Sequence, residues 1–126
     1  METLCKIRDI YRSISEFEIR FEKTYQLSLN EGMLLCTLSQ SEQLTSGEIA
    51  GFMGLTTSNT SKVIRSVENK GLIKRILGHQ DKRQMYFSIT PAGREKITAI
   101  EGCTLEIPDL LSPLLHPSAK EGTSFS

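Results

Sequence analysis

The sequence predicts a mainly α-helical fold that carries one small β-hairpin. Three observations predict it: a long amphipathic pattern without glycine or proline near the N-terminus, two capping-box motifs in the middle of the chain, and a short alternating pattern that follows a glycine. With 126 residues the chain has material for one hydrophobic core and little for a second. We therefore expect a single domain over residues 1–126.

The first predicted helix covers residues 3–26. Its apolar residues recur in steps of three and four and form one stripe: Leu4, Ile7, Tyr11, Ile14, Phe17, Phe21 and Tyr25. A helix of this length spans roughly 35 Å, which is long for a domain of this size. We expect part of the stripe to pack against another chain; the alternative is that the helix covers its own domain.

Two short helices are predicted to follow, each starting at a capping box. Ser28 with Glu31 begins one, and Thr45 with Glu48 begins the other. Their predicted apolar sides comprise Met33, Leu34, Leu35 and Leu38 in the first, with Cys36 also in the core, and Ile49, Ala50, Phe52 and Met53 in the second. Gly54 is expected to end the second helix in the left-handed conformation. Gly51 inside it indicates either close helix packing or local looseness.

A fourth helix is predicted from a cap at Thr56 or Thr57 to about Lys70, ending at Gly71. One side carries core-type residues: Thr60, Val63, Ile64 and Val67. Another side is polar, basic and without acidic residues: Ser58, Lys62, Arg65 and Asn69. Two helices joined by a tight turn, the second with an exposed basic stripe, are typical of a helix-turn-helix.

A β-hairpin is predicted directly after that helix. Residues 72–77 form its first strand and residues 83–89 its second, in which apolar and polar side chains alternate. Residues 78–82 supply a charged tip. Thr90 and Pro91 then begin a helix that extends to about Gly102. At most one short helix is expected over residues 109–115, and residues 117–126 are expected to be disordered.

Charge is concentrated in one part of the chain. Residues 56–94 contain eight of the fifteen Lys and Arg residues but only two of the fifteen acidic residues, for a net charge of +6. The segments 1–55 and 95–126 each sum to −3, so that the whole chain is neutral. Such a block indicates a surface for a polyanion, since each Lys or Arg on a phosphate releases counterions. A solvated basic face without a partner is the alternative.

Other kinds of chemistry find little support. No apolar run approaches the ~20 residues that span a bilayer, and the N-terminus is not a signal sequence. We therefore expect a cytoplasmic protein that is not associated with a membrane. Cys5, Cys36 and Cys103 fit neither a disulfide framework nor a metal site. We find no phosphate-binding glycine loop, nucleophile elbow or paired carboxylates. We therefore expect no enzyme, no cofactor and no metal.

Together these elements give a winged helix-turn-helix, and the sequence resembles the MarR family of bacterial transcription regulators. The resemblance rests on LTSGEIAGFMGLTTSNTSKVIRSVENKGLIKR and on DKRQMYFSITPAG. The second stretch is similar to the family's wing signature, an Asp and an Arg two residues apart before a strand that ends in Leu/Ile-Thr-x-x-Gly. The corresponding residues here are Asp81, Arg83, Ile89, Thr90 and Gly93.

The resemblance implies a sequence-specific regulator, with repression as the expected activity, that binds double-stranded DNA through the fourth helix. Ser58, Asn59, Ser61 and Lys62 would read bases in the major groove, and Thr57 and Arg65 would contact phosphates. Arg83 would reach from the wing toward a minor groove, positioned by Asp81. Lys82, like Lys74 and Arg75, would contribute general electrostatic attraction. For Asp81 the alternative is a plain turn residue, and for Arg83 and Lys62 a solvated face.

The resemblance also implies a homodimer on a pseudo-palindromic operator. Residues 1–27 and 95–116 would supply the dimerisation helices, and residues 28–94 the winged helix-turn-helix. Only about 24 residues follow Gly102, with three prolines among them, so we expect the dimer to rest mainly on the first helix. The contact would involve Leu4, Ile7, Tyr11, Ile14, Leu110, Leu111 and Leu114. A weak dimer or a truncated variant is the alternative.

Two points remain open at the level of the sequence. Many members of the family bind a small aromatic effector, and nothing in these residues identifies one. The fold also serves as a protein-interaction module without DNA binding. The +6 segment argues against that second function, because a protein module has no need of it.

Overall fold

A computed structural model of the chain describes residues 2–78, 84–102 and 108–115. In chain order the elements are α1 (Glu2–Tyr25), α2 (Leu29–Ser39), β1 (Leu44–Thr45), α3 (Ser46–Met53), α4 (Thr57–Asn69), β2 (Ile73–Leu77), β3 (Met85–Ile89), α5 (Pro91–Glu101) and α6 (Ser112–Leu115). The mainly helical fold with a β-hairpin wing is confirmed. The predicted tail lies outside the described residues.

The chain forms two compact units. One comprises Met1–Gln26 and Thr104–Ser126 and contains α1 and α6; the other comprises Leu27–Cys103 and contains the remaining elements. Within α1, the rings of Phe17, Phe21 and Tyr25 form successive tilted contacts, with centroids 6.1 and 5.0 Å apart. The stripe predicted on α1 therefore divides into a buried C-terminal part, Phe21 and Tyr25, and an exposed N-terminal part.

The core of the Leu27–Cys103 unit lies where α2, α3 and α4 pack together. Its fully buried side chains are Leu27, Leu34, Leu35, Leu38, Ile49, Thr60 and Val67. Both predicted capping boxes form: the side chains of Ser28 and Thr45 accept hydrogen bonds from the backbone N–H of Glu31 and Glu48, whose carboxylates accept from the caps in return. Gly54 has φ 66° and Gly71 has φ 76°, so each helix ends at the glycine expected to end it.

Three side chains in α2 and α3 are exposed although the sequence predicted them on apolar or core sides. Cys36 was expected in the core and is exposed, because Leu34, Leu35 and Leu38 define the buried side of α2 and Cys36 lies across the helix from them. Met33 and Phe52 were expected on apolar sides but are 43% and 70% exposed. Of the two alternatives for Gly51, close packing is excluded, since a Cβ built there meets no atom within 4 Å.

The sheet contains one strand more than the sequence predicts. Its order is β1-β3-β2, with both neighbouring pairs antiparallel. The added strand, β1, pairs Leu44 with Phe87 and Thr45 with Tyr86. Two residues are too few to show an alternating pattern, so no sequence signal marks this strand. Its backbone pairing holds the start of α3 against the hairpin.

Thr90 joins the hairpin, α4 and α5. Its hydroxyl donates a hydrogen bond to the carbonyl oxygen of Gly71 at 2.7 Å and accepts one from the N–H of Gly93 at 3.1 Å, which caps α5. Its own N–H donates to the carbonyl oxygen of Leu72 at 3.0 Å. Gly93 sits so close to the Leu72 carbonyl that a Cβ could not fit there. The Thr-x-x-Gly pattern of the sequence thus has a packing reason.

Candidate nucleic-acid interface

The local sequence explains how α4 starts and which side it buries. Thr56 is the N-cap, and its hydroxyl accepts a hydrogen bond from the N–H of Asn59 at 3.1 Å. Thr60 is buried and donates from its hydroxyl to the carbonyl oxygen of Thr56 at 2.8 Å. Ile64 and Val67 are buried on the same side. The prediction of a core-facing side is confirmed, so the opposite side of α4 is available to solvent.

All of the residues predicted to contact DNA from α4 are exposed. They are Thr57, Ser58, Asn59, Ser61, Lys62 and Arg65. The first three stand in the first turn, where backbone N–H groups without partners inside the helix carry partial positive charge. The helix has no acidic residue in that turn. Its N-terminal half therefore combines donors, hydroxyls and positive charge, as a surface that binds phosphates and base edges requires.

The wing is described in its strands but not at its tip. The register of β2 and β3 pairs Ile73 with Ile89 at the base and Leu77 with Met85 near the tip. The N–H of Gly78 donates to the carbonyl oxygen of Gln84 at 2.9 Å, which extends the ladder by one bond. The predicted wing residues Asp81, Lys82 and Arg83 lie outside the described residues.

Arg75 on β2 is paired within the protein. Its Nε donates to Glu68 Oε2 on α4 at 2.7 Å, and its guanidinium lies 5.6 Å from the centroid of the Phe87 ring. The hydrogen bond and charge of Glu68 raise the pKa of Arg75 further above its already high value. This pair neutralises the one acidic residue that follows Lys62 and Arg65 in α4. Lys74, its neighbour, is exposed.

The buried carboxylate of Glu31 contacts the C-terminal turn of α4. The sequence predicted this residue only as part of a capping box. Glu31 is 5% exposed, and Lys70 Nζ donates to both of its carboxylate oxygens at 2.9 Å. Ser66 Oγ donates to Oε2 at 2.6 Å, and the Ser28 N–H donates to Oε1 at 2.7 Å. Burial raises the pKa of Glu31, but the hydrogen bonds from Ser66, Ser28 and Lys70 outweigh it and hold that pKa below its ordinary value.

Among the described residues, no helix is long and apolar enough to cross a membrane. Within the same residues, no group of three or more His, Cys, Asp and Glu side chains is placed to hold a metal ion.

Comparison with known proteins supports the family resemblance seen in the sequence. The family model described as "MarR family" matches residues 27–85, which include α2, α3, α4 and β2. Over this segment the chain resembles the MarR family. The match covers the helix-turn-helix and enters the second strand of the wing, as the resemblance in the sequence implied.

Individual MarR-like relatives resemble the chain at moderate identity. The HTH-type transcriptional regulator YdcH of Bacillus subtilis (strain 168) is 30% identical over 92 residues, which are 73% of this chain and 60% of YdcH. YwaE of the same organism is 28% identical over 77% of this chain and 59% of its own length. The chain thus spans about three fifths of the length of these two relatives.

Solved MarR-like structures share the fold. The transcriptional regulator BldR from Sulfolobus solfataricus is 27% identical, with a TM-score of 0.75 over 98% of this chain and 86% of BldR. The transcriptional repressor CouR, solved on a 23-mer DNA duplex, is 21% identical, with a TM-score of 0.79 over 98% of this chain and 87% of CouR. The identity to CouR supports the fold alone.

Proposed function

We propose that this chain is a sequence-specific DNA-binding transcription regulator in which α4 enters the major groove. The observation that carries the proposal is the exposed side of α4, where six residues with donor, hydroxyl or basic side chains are accessible on a helix anchored by its other side. The match of residues 27–85 to a family of transcription regulators supports the same function. The proposed activity is binding, without an enzymatic step.

The residues of α4 have distinct proposed roles. Ser58, Asn59, Ser61 and Lys62 read base edges, because hydroxyl, amide and ammonium groups match the donor and acceptor pattern of the major groove. Thr57 and Arg65 bind phosphates and fix the register of the helix on the duplex. Asp81, Lys82 and Arg83 complete the surface from the wing, with Arg83 directed to the adjacent minor groove.

Dimerisation is the second part of the proposal. Four large apolar residues at the N-terminal end of α1 are between 41% and 73% exposed: Leu4, Ile7, Tyr11 and Ile14. An exposed apolar stripe of this kind is expected to bury itself against a second copy, and Leu110, 44% exposed, would add to it with Leu111 and Leu114. In this proposal residues 1–27 and 95–116 form the dimer, and each protomer reads one half of a pseudo-palindromic operator.

The mode of regulation completes the proposal. A dimer bound at an operator can block transcription, and we propose that this chain acts as a repressor in this way, in the cytoplasm. Release by a small aromatic effector rests on the family alone. It predicts that a simple phenolic acid weakens binding to DNA without changing the fold, which a competition titration followed by fluorescence anisotropy would detect.

Selection of bound sequences from random double-stranded DNA tests the proposed function. We expect the full chain to enrich a motif with two-fold symmetry, and to shift the corresponding duplex in a gel. Lys62→Ala and Arg65→Ala should weaken the shift by roughly 10-fold, which corresponds to about 1.4 kcal/mol. Lys23→Ala on α1 removes the same charge as Lys62→Ala outside the proposed interface and should leave the shift unchanged.

Two outcomes would overturn the proposal. One is the absence of any enriched motif and of any shift at low salt. The other is an equal loss from Lys23→Ala and Lys62→Ala, which would mean that net charge rather than α4 determines binding. A stoichiometric protein partner in place of DNA would favour the protein-interaction module.

A further inference from the structure

Glu31 joins the first turn of α2 to the last turn of α4. Its carboxylate accepts four hydrogen bonds: one from the backbone of its own N-cap, one from Ser66 and two from Lys70. A carboxylate offers about four acceptor sites, so this one is saturated. Ser66 and Lys70 stand four residues apart and therefore on the same side of α4. One buried side chain thus fixes two helices at once.

The position of this cluster on α4 relates it to the proposed reading surface. Ser66 and Lys70 are next to the exposed stripe that contains Lys62, Arg65 and Asn69. On the other helix, Leu34, Leu35 and Leu38 are fully buried and anchor α2 in the core. A rotation of α4 about its axis, or a shift along it, would break the hydrogen bonds to Glu31. The cluster therefore restrains both movements.

Burying a carboxylate is a poor way to gain stability, because desolvation offsets much of the Coulombic attraction to its partner. Here Glu31 is buried, whereas the side chain of Lys70 is 40% exposed. The buried carboxylate does favour one arrangement of the two helices over others, since any alternative leaves it uncompensated. Base readout requires this kind of precision, because a recognition group displaced by about 1 Å loses most of its effect. The chemistry of Glu31 thus matches a positional role better than a stabilising one.

We propose that Glu31, Ser66 and Lys70 form a positioning cluster that sets the orientation of α4 for sequence discrimination, and that Lys70 does not act as a phosphate contact. The inference rests on the proposed function, DNA binding through α4. It removes Lys70 from the cations of the +6 segment that attract DNA and gives it a different task. Lys70 and Lys62 are eight residues apart in the chain. In this proposal, substitution of Lys70 lowers sequence selectivity, whereas substitution of Lys62 lowers the affinity for any DNA.

Two duplexes and two matched variants test the proposal: the duplex selected by the wild-type chain, a scrambled duplex of the same composition, Lys70→Met and Lys62→Met. We expect Lys70→Met to reduce the ratio of affinities for selected over scrambled DNA by about 10-fold or more. It should leave the affinity for scrambled DNA, and its salt dependence, unchanged. Lys62→Met should weaken binding to both duplexes and make the slope of log K against log salt less negative by about 0.9 per contact.

Two further variants separate positioning from general loosening of the fold. Lys70→Arg keeps the charge and the donors and should retain the selectivity of the wild type. Glu31→Gln should lower selectivity as Lys70→Met does, and the double variant should be no worse than the more severe single one, because both remove the same interaction. Circular dichroism would establish that each variant is folded at the temperature of the titration.

The outcomes distinguish this inference from the proposed function. Binding of DNA by the wild type with an unchanged selectivity ratio in Lys70→Met overturns the positioning cluster alone. So does a loss of salt dependence in Lys70→Met equal to that in Lys62→Met, which would make Lys70 a phosphate contact. A proportional loss on both duplexes would reduce the cluster to a stabilising role. Failure of the wild type to bind either duplex overturns both proposals.

Discussion

Gly93 shows how much a single side-chain position can matter in this protein. A Cβ at that position would collide with the carbonyl group of Leu72 and lie 2.6 Å from Cγ1 of Ile89. Neither neighbour yields easily, since one is backbone and the other is a buried β-branched residue. Gly51, by contrast, lies in a helix with open space around it. Gly93 therefore excludes any side chain, whereas Gly51 has room for one.

We expect Gly93→Ala to lower the free energy of unfolding by about 2 kcal/mol, because α5 must move away from β2. The matched substitution Gly51→Ala should raise it by about 1 kcal/mol, since alanine favours the helix and meets no neighbour. Urea denaturation of both variants measures the two changes. A neutral Gly93→Ala would refute the close approach of Gly93 to Leu72.

Glu31 gives a prediction about pH. Its pKa in the folded chain is held below the ordinary value of 4.5, so its ionised form stabilises the fold above that value. This contribution is lost as the pH falls through the lowered pKa. Glu31→Gln should therefore cost about 2 kcal/mol of unfolding free energy at pH 7, and the difference from the wild type should shrink below about pH 4.5.

Urea denaturation of the wild type and Glu31→Gln between pH 7 and pH 3 measures that difference. Glu48→Gln is the matched control, because Glu48 occupies the same place in the other capping box but is exposed. We expect its substitution to cost less at pH 7. A constant difference between wild type and Glu31→Gln over the whole range would contradict the role given to the carboxylate.

At the scale of single residues, sequence patterns predicted caps better than burial. Ser28, Thr45 and Thr56 cap their helices as predicted, because a cap depends on neighbours three residues away. The exposure of Cys36 and Phe52 depends on which side of a short helix meets distant elements. The ion pair of Glu31 with Lys70 joins residues 39 apart, and no local pattern encodes it.

Among the elements, α1 has an exposed apolar stripe at its N-terminal end. Leu4, Ile7, Tyr11 and Ile14 recur on one side of the helix, whereas Ile19, 69% exposed, lies off that stripe. The buried rings of Phe21 and Tyr25 continue the same stripe toward the C-terminal end. A single apolar side thus changes from buried to exposed along one helix. This pattern underlies the proposed dimer.

We expect the charged substitution Tyr11→Lys to weaken self-association by at least about 10-fold, because an ammonium group would be desolvated within the interface. Ile19→Lys introduces the same charge on the same helix outside the stripe and should leave association unchanged. Sedimentation equilibrium of the full chain and both variants measures the dimer dissociation constants. A monomeric wild type at every concentration would contradict the dimer, and equal effects of the two variants would contradict the choice of stripe.

The elements themselves were largely predictable. Five helices, α1 to α5, and both wing strands follow from periodicity, capping residues and glycines, because these are signals within a few residues of each boundary. β1 could not be predicted, since its two residues become a strand only by pairing with Phe87 and Tyr86, about forty residues later. The part of the candidate site on α4 was predictable for the same reason as the helix, because the spacing of its apolar residues indicates which side is exposed.

For the whole molecule, the distribution of charge is the property that matters most. Residues 56–94 carry a net charge of +6, but Lys70 and Arg75 are engaged with Glu31 and Glu68. On α4 and β2, the described residues leave Lys62, Arg65 and Lys74 exposed and outside these two ion pairs. The acidic segments on either side of the block would repel DNA from other surfaces. Net charge alone could not reveal that two of these cations form ion pairs with acidic residues of the same chain.

The salt dependence of DNA binding tests the central claim most directly. Fluorescence anisotropy would follow the full chain on its selected duplex between 50 and 200 mM salt, concentrations at which proteins with several phosphate contacts lose about 10³-fold or more in affinity. The account predicts a steep linear decrease of log K with log salt, and a shallower one for the variant Lys62→Ala. A binding constant independent of salt, or no binding at the lowest salt, would contradict it.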